Sequence, residues 1–304
     1  MNNTEFIIQP ANQEQSAYIL NLVNIFDGQK RENATIFVAE DGKKEVVGRI
    51  VATERDVPSP LSGRYWFIDN LFVVPEERRK GVATALVNKI KEEAEKADVL
   101  YLHGSAAPSV EASLFWMKQN FTMNAYGKRQ DDPKNPKYYG NFFHMFSYRL
   151  NRNSVLDDVY GENIRKASGD EILRWIEEKP TDEKKKAYFL SKANELIGFA
   201  ACNENNEING VVVGLPDAMQ APLESVRLWT DVFVEDPYRH KGIGKSLVAE
   251  MVRYAGKIGA IQLSHVDPTE DYIGFWYEIG FDILFWDVSR QTGRRRTTAM
   301  LRVR

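Results

Sequence analysis

The sequence of 304 residues holds one cysteine, Cys202, so no disulfide can close within the chain, which fits a reducing compartment. Neither charge is in excess: 40 Lys and Arg stand against 43 Asp and Glu. A basic surplus of the kind that binds nucleic acid or an anionic membrane surface is therefore missing. No apolar run reaches the ~18 residues of a membrane span. The opening MNNTEFIIQP has no basic stretch before an apolar core and does not read as a signal peptide. These absences set the expectation of a cytoplasmic protein with neither nucleic acid nor membrane as partner. At roughly 100–200 residues per domain, the length suggests two domains.

What is present is a repeat. VVPEERRKGVATAL, from Val73, has the same build as VFVEDPYRHKGIGKSL, from Val232. Arg78 matches Arg239 and Gly81 matches Gly242, both pairs 161 apart (239−78, 242−81). Downstream, SLFWMKQNF resembles IGFWYEIGF, with Trp116 and Trp276, and Phe121 and Phe281, 160 apart (276−116, 281−121). Upstream, FIIQPA resembles NIRKAS, with Ala11 and Ala167 156 apart (167−11). A nearly constant offset implies two copies of one fold, with small drifts where loops differ. The expected division is a domain over 1–150, a polar linker over 151–162 and a second domain over 163–304.

The first copy reads as a strand (Phe6 to Gln9), a helix (Gln13 to Ile25), and strands near Thr35–Glu40 and Val46–Thr53. The aromatic and β-branched run Tyr65 to Val74 is a further strand. Ala83 to Ala97 is an amphipathic helix, with Leu86, Ile90 and Ala94 as its apolar stripe. A strand (Val99 to His103), a helix (Val110 to Gln119) and two closing strands complete the copy, and the second follows the same plan. The fold class is α/β with a mixed sheet of α+β character.

Arg78, Arg79 and Lys80 stand where a strand ends and a helix begins. A helix start presents unpaired N–H groups and roughly half a positive charge, so cations there are unfavourable by several tenths of a kcal/mol each. The arrangement makes sense if the joint holds a phosphate group, with Gly81 and Ala83, and Gly242 and Gly244, keeping the backbone bare. The bland alternative is a solvated turn. GIGKS at Gly242 is no nucleotide P-loop, because Arg239 stands where that motif needs its first glycine. The dinucleotide fingerprint fails at Leu86 and Leu247, which should be small.

The pattern R-x-x-G-x-G/A between strand and helix resembles the pyrophosphate loop of the GNAT superfamily of N-acetyltransferases. Here it reads Arg78-Arg79-Lys80-Gly81-Val82-Ala83 and Arg239-His240-Lys241-Gly242-Ile243-Gly244. The preceding strands and the later FWMKQNF and FWYEIGF helices resemble that superfamily too, over both halves. The resemblance implies two tandem GNAT-like acyl-CoA N-acyltransferase domains that use acetyl-CoA as cosubstrate and no metal. The amides from Arg79 to Thr84, and from His240 to Lys245, would hold the pyrophosphate. Phe72, Val73 and Val74, and Phe233, Val234 and Glu235, would run beside the pantetheine arm. An N–H near Val73 or Val234 would polarise the thioester carbonyl. An amine, most simply of a small molecule, would then attack directly, without a protein nucleophile. A coenzyme binder without chemistry, and an enzyme for protein N-termini or lysines, are the other readings.

An amine acceptor needs a general base within reach. Asp69 lies just before the first joint, and Thr230 and Asp231 lie in the corresponding stretch. His103 and His265 end the next strands. Each of these could instead be structural. The superfamily often has a tyrosine acid in the aromatic helix, where this chain has Trp116 and Trp276, with Tyr277 one residue on. Indole is no usable acid. Asn120 replaces Gly280 and Ala83 replaces Gly244, so the second copy is the closer match and the one expected to work. Pocket rims are expected at 55–64, 129–141 and 209–225, and Arg294, Arg295 and Arg296 read as a solvated hairpin turn.

Overall fold

The computed structural model describes residues 6–23, 33–106, 110–125, 144–150, 156–161, 163–179, 183–218, 226–266, 270–288 and 295–303. Its internal contacts divide into two compact units, Met1–Arg152 and Asn153–Arg304. The loop at 129–141, residues 151–155 and 162 of the linker, residues 219–225 of the third rim and Arg294 lie outside the described residues.

In the first unit β1 (Ile7–Pro10) and α1 (Gln13–Leu22) precede β2 (Ala34–Glu40), β3 (Val46–Asp56) and β4 (Arg64–Val73). Then come α2 (Val82–Lys96), β5 (Tyr101–Ala106), α3 (Val110–Lys118), β6 (Thr122–Ala125) and β7 (His144–Arg149). The second unit runs β8 (Ile164–Ala167), α4 (Gly169–Glu177), α5 (Glu183–Ser191), β9 (Ile197–Cys202), β10 (Ile208–Ala218) and β11 (Val226–Val234). It continues with α6 (Ile243–Lys257), β12 (Gln262–Val266), α7 (Glu270–Glu278), β13 (Asp282–Val288) and β14 (Arg295–Arg302). Arg295 and Arg296 thus belong to a strand rather than a turn.

Each unit is built on a seven-stranded mixed sheet, ordered β1-β2-β3-β4-β5-β7-β6 and β8-β9-β10-β11-β12-β14-β13. Among the described residues the only parallel pairs are β4 with β5 and β11 with β12, each joined by a crossover helix. Sequence patterning accounts for the helices. Leu86, Ile90 and Ala94 of α2 are fully buried, as are Leu247, Met251 and Ala255 of α6. Against the opposite face of the second sheet α4 buries Ile172, Leu173, Trp175 and Ile176. In the first unit Ile19 of α1 packs there with Ile36, Val38 and Val51. Cys202 is buried at the end of β9, a small core residue.

The parallel pairs are short. Only Tyr65–Ile68 of β4 pair with β5, although β4 runs on to Val73, and only Arg227–Trp229 of β11 pair with β12. Beyond those points the central strands part, so each sheet is split where its cationic joint begins.

One exchange in the cores separates the two copies. Gly104 of β5 lies opposite Phe146 of β7, whose ring lies 2.3 Å from where a Cβ on Gly104 would stand and stacks on Trp116 at 3.8 Å. In the second unit the matching pair is His265 of β12 opposite Ala299 of β14, and the imidazole stacks on Trp276 at 4.7 Å. The ring comes from β7 in one copy and from β12 in the other, and the facing residue is small in both. Gly104→Ala should therefore cost about 1–3 kcal/mol through overpacking. Adding Phe146→Leu should recover part of that loss in urea unfolding, and an additive penalty would show that the two positions do not share the space.

Candidate active site

The two joints have one backbone conformation. Arg78 and Arg239 are extended (φ −65 and ψ 155; φ −65 and ψ 160). Arg79 and His240 are left-handed, at φ 62 and 59, and so are Gly81 and Gly242, at φ 89 and 83. Left-handed backbone favours glycine and strains Arg79 and His240 by roughly 1–2 kcal/mol each, so the glycines are there for their conformation. An added Cβ at Gly81 or Gly242 meets nothing within 4 Å, so the space in front of each joint is open. Gly244 is less constrained: a Cβ there would make ordinary contacts with Phe275 at 3.4 Å, which is why Ala83 serves at its counterpart.

The helices after the joints begin bare. Asn12 and Gln15 form a reciprocal capping box on α1, and Ser168 caps α4 through the Glu171 amide. By contrast Gly81 and Gly242, at the N-caps of α2 and α6, offer no side-chain cap. The first turn of α2 (Val82, Ala83, Thr84) and that of α6 (Ile243, Gly244, Lys245) thus present backbone donors with no intrahelical partner.

The cations fasten the joint as well as charging it. Arg78 Nε donates to the Val73 carbonyl and Arg239 Nε to the Val234 carbonyl, both at 3.1 Å. Arg79 pairs with Glu111, Lys80 with Glu77, and Arg239 also with Asp236. Lys241 lies over the Tyr238 ring, and His240 is exposed. These partners are set by the folded joint and were not legible in the sequence.

Strand geometry sets the other wall. Val74 donates to Val47 and Glu235 to Asn209, so the alternation of an antiparallel ladder turns the Val73 and Val234 amides away from β3 and β10, toward the split. Phe72 is partly exposed beneath the Arg49 guanidinium, and Phe233 packs on the α4 core. Glu235 pairs with Lys179.

The splits differ in chemistry. In β4 the pairing steps from Val51–Asn70 to Ala52–Ile68, leaving Asp69 as the extra residue of a β-bulge. Its carboxylate is enclosed, accepting from Thr53 Oγ1 at 2.7 Å and Arg55 Nη2 at 3.2 Å. Burial raises its pKa above the ordinary carboxylate range, against the pull of Thr53 and Arg55. Arg55 lies 4.1 Å over the Phe67 ring. On the same face His103 sits between the rings of Tyr65 and Tyr101, its pKa pushed down to about 3 by burial and by Arg55.

The pairing of β10 with β11 has no bulge. Asp231 matches Asn70 rather than Asp69, and its carboxylate accepts from the adjacent Val232 amide. His265 matches Gly104 rather than His103: Nδ1 donates to the Thr230 carbonyl at 2.8 Å, with Asp231 Oδ1 3.7 Å away. The counterpart of His103 is Ser264, and Thr230 spends its hydroxyl on the Val213 carbonyl. The two histidines are therefore not one conserved position. Trp116 and Trp276 are both buried, edge-on to Phe121 and Phe281, and Tyr277 is half-buried beside Trp276. Asn120 and Gly280 hold the same left-handed helix end, φ 64 and 101, a conformation that asparagine tolerates, so this substitution does not mark the first copy as degraded.

The acetyltransferase (GNAT) family model matches residues 4–121 and 154–281, and the chain belongs to that family, with two copies in tandem. Curated proteins yield no match. Among solved structures, NAA60 of Arabidopsis thaliana in complex with acetyl-CoA is 15% identical, covering 48% of this chain and 99% of its own, with a TM-score of 0.38. The IAA acetyltransferase of Bacillus cereus is 16% identical over 48% of this chain and 100% of its own, at TM-score 0.37. A phosphinothricin acetyltransferase of Sinorhizobium meliloti, in complex with AcCoA, is 20% identical over 46% and 87%, at 0.37. Among the described residues no helix is long and apolar enough to cross a membrane.

His103 makes stability depend on pH. Its folded pKa lies below the unfolded value, so the contribution is complete above pH ~6.5 and is lost as pH falls. Between pH 6.5 and 5 the loss is about 2 kcal/mol, at 1.36 kcal/mol per pH unit. Asp69, shifted the other way, gains toward acid but is common to any His103 variant. Urea unfolding at pH 7 and pH 5 should show this extra loss in the wild type and not in His103→Asn; equal losses would mean that the imidazole is not held neutral.

Proposed function

We propose that the protein is an acetyl-CoA-dependent N-acetyltransferase whose chemistry lies in the first unit and whose acceptor is a small primary amine. The observation that carries this reading is the joint, built twice with the same dihedrals, the same arginine staple and the same uncapped helix start. A diphosphate suits it, since the amides point outward, the dipole favours an anion and the space ahead is open. Arg79 to Thr84, and His240 to Lys245, are the amides that hold it.

The pantetheine arm lies along Phe72 to Val74, with the Val73 amide turned toward the thioester oxygen. The amine nitrogen attacks the carbonyl carbon, the carbon–sulfur bond breaks, and the sulfur leaves as thiolate. Asp69 takes the amine's proton, directly or through one water. Its raised pKa brings it closer to the working range of a base, and bulges commonly sit beside active sites. Solvent returns a proton to the thiolate, since buried Trp116 cannot. In the second unit, where no bulge opens the strand and Asp231 covers the Val232 amide, the joint binds coenzyme without transfer. A second reading, with Asp231 as base in the second unit, draws on the partial exposure of that carboxylate at the split.

Calorimetry with acetyl-CoA should give two sites per chain, and Gly81→Glu and Gly242→Glu should each abolish one. Unchanged binding in both variants would remove the phosphate assignment. Asp69→Asn should bind acetyl-CoA normally while release of free CoA with an amine panel falls about 10²–10⁴-fold. Asp231→Asn should keep the rate, and the opposite pattern would move the chemistry to the second unit.

A further inference from the structure

The face of the first sheet that carries Asp69 holds more polar groups than proton transfer needs. Arg55 gives one N–H to Asp69, and its Nε is buried without a hydrogen-bond partner. His103 Nε2 is likewise buried and unpartnered. Directly opposite His103 across the β5–β7 pairing stands Ser147, whose Oγ is a third such atom. Strand register puts the three on one sheet face: Arg55 pairs with Tyr65 beside Phe67, Phe67 pairs with His103, and His103 with Ser147.

Buried polar atoms are nearly always hydrogen-bonded, so three exceptions on one face beside the candidate base call for an explanation. All three can donate: guanidinium only donates, a hydroxyl can, and imidazole does in the tautomer protonated at Nε2. The second unit shows that the fold does not require them. Asp217 stands in place of Arg55, Ser264 in place of His103, bonded by Gln262, and Met300 in place of Ser147. The donors belong to the half that has the bulge.

We propose that these donors receive a carboxylate of the acceptor, with Arg55 the specificity-determining residue, so that the substrate is an amino acid rather than a simple amine. The inference rests on the acetyl-transfer reading above and names its acceptor class. Charge supports it. The Arg55–Asp69 pair is neutral as a whole and neutral His103 adds nothing, so a zwitterion enters without net charge. Its amine goes to the carboxylate of Asp69 and its carboxylate to the guanidinium, which keeps 15% of its side-chain surface exposed. Arg presents a fork that suits a carboxylate.

The test measures binding, so it does not depend on turnover. L-arginine and agmatine, and L-tryptophan and tryptamine, differ only by the carboxylate. In calorimetry with the full chain saturated with free CoA, at least one amino acid should bind about tenfold or more tighter than its decarboxylated partner. Arg55→Met should bring that ratio to about one, and Arg55→Lys should keep part of it. Ser147→Ala, too small a change to unfold a strand, should reduce it. Equal binding within both pairs, no binding of any of the four, or a preference untouched by Arg55→Met and Ser147→Ala, would each overturn the proposal. Failure of acetyl transfer with the preference intact would count against the enzymatic reading alone.

Discussion

Everything else in this molecule depends on a helix that starts without a cap. At Gly81 and at Gly242 the chain turns through a left-handed residue straight into α2 or α6, and the first amides face outward. Such a start is unfavourable in isolation, and three cations nearby make it worse. Arg78 and Arg239 relieve part of this by fastening the loop to the last carbonyl of the preceding strand. The staple also fixes where the strand ends relative to the helix, and with it the direction of the Val73 and Val234 amides. One device thus sets both the anion cradle and the adjoining strand edge.

Around this shared frame the two halves have diverged. One extra residue in β4 adds the Asp69 carboxylate to a sheet face that also carries the Arg55 guanidinium and the His103 imidazole. Without that residue, β11 keeps a continuous register, and the same face is filled by Leu215, Trp229 and Phe233 against the α4 core. Register on either side of the bulge is the same in both units, so the wall changes from apolar to polar through residue identity, with Thr53 for Leu215 and His103 for Ser264, and the bulge adds the carboxylate.

Much of this was legible in the sequence. The repeat, the α2 stripe and the glycine at each joint rest on local patterns, and local patterns survive folding. The bulge was not legible, because YWFIDNLFVV alternates equally well with or without an extra residue, and only pairing with β3 decides. The histidines misled for the same reason. His103 and His265 lie near the ends of equivalent strands but point to different jobs, since the ring over Gly104 comes from Phe146 and the ring over Ala299 from His265. Asn120 looked like decay and is a tolerated helix end. The staple formed by Arg78 was not legible either, since it needs the Val73 carbonyl, five residues earlier, to be turned toward it.

The central claim is that backbone amides at both joints hold the diphosphate of a thioester coenzyme. A crystal structure of the full chain grown with excess coenzyme A tests it most directly. The account predicts a diphosphate within hydrogen-bonding distance of amides between Arg79 and Thr84, and a second one between His240 and Lys245. Coenzyme bound elsewhere on the chain, with both helix starts facing only water, would contradict it.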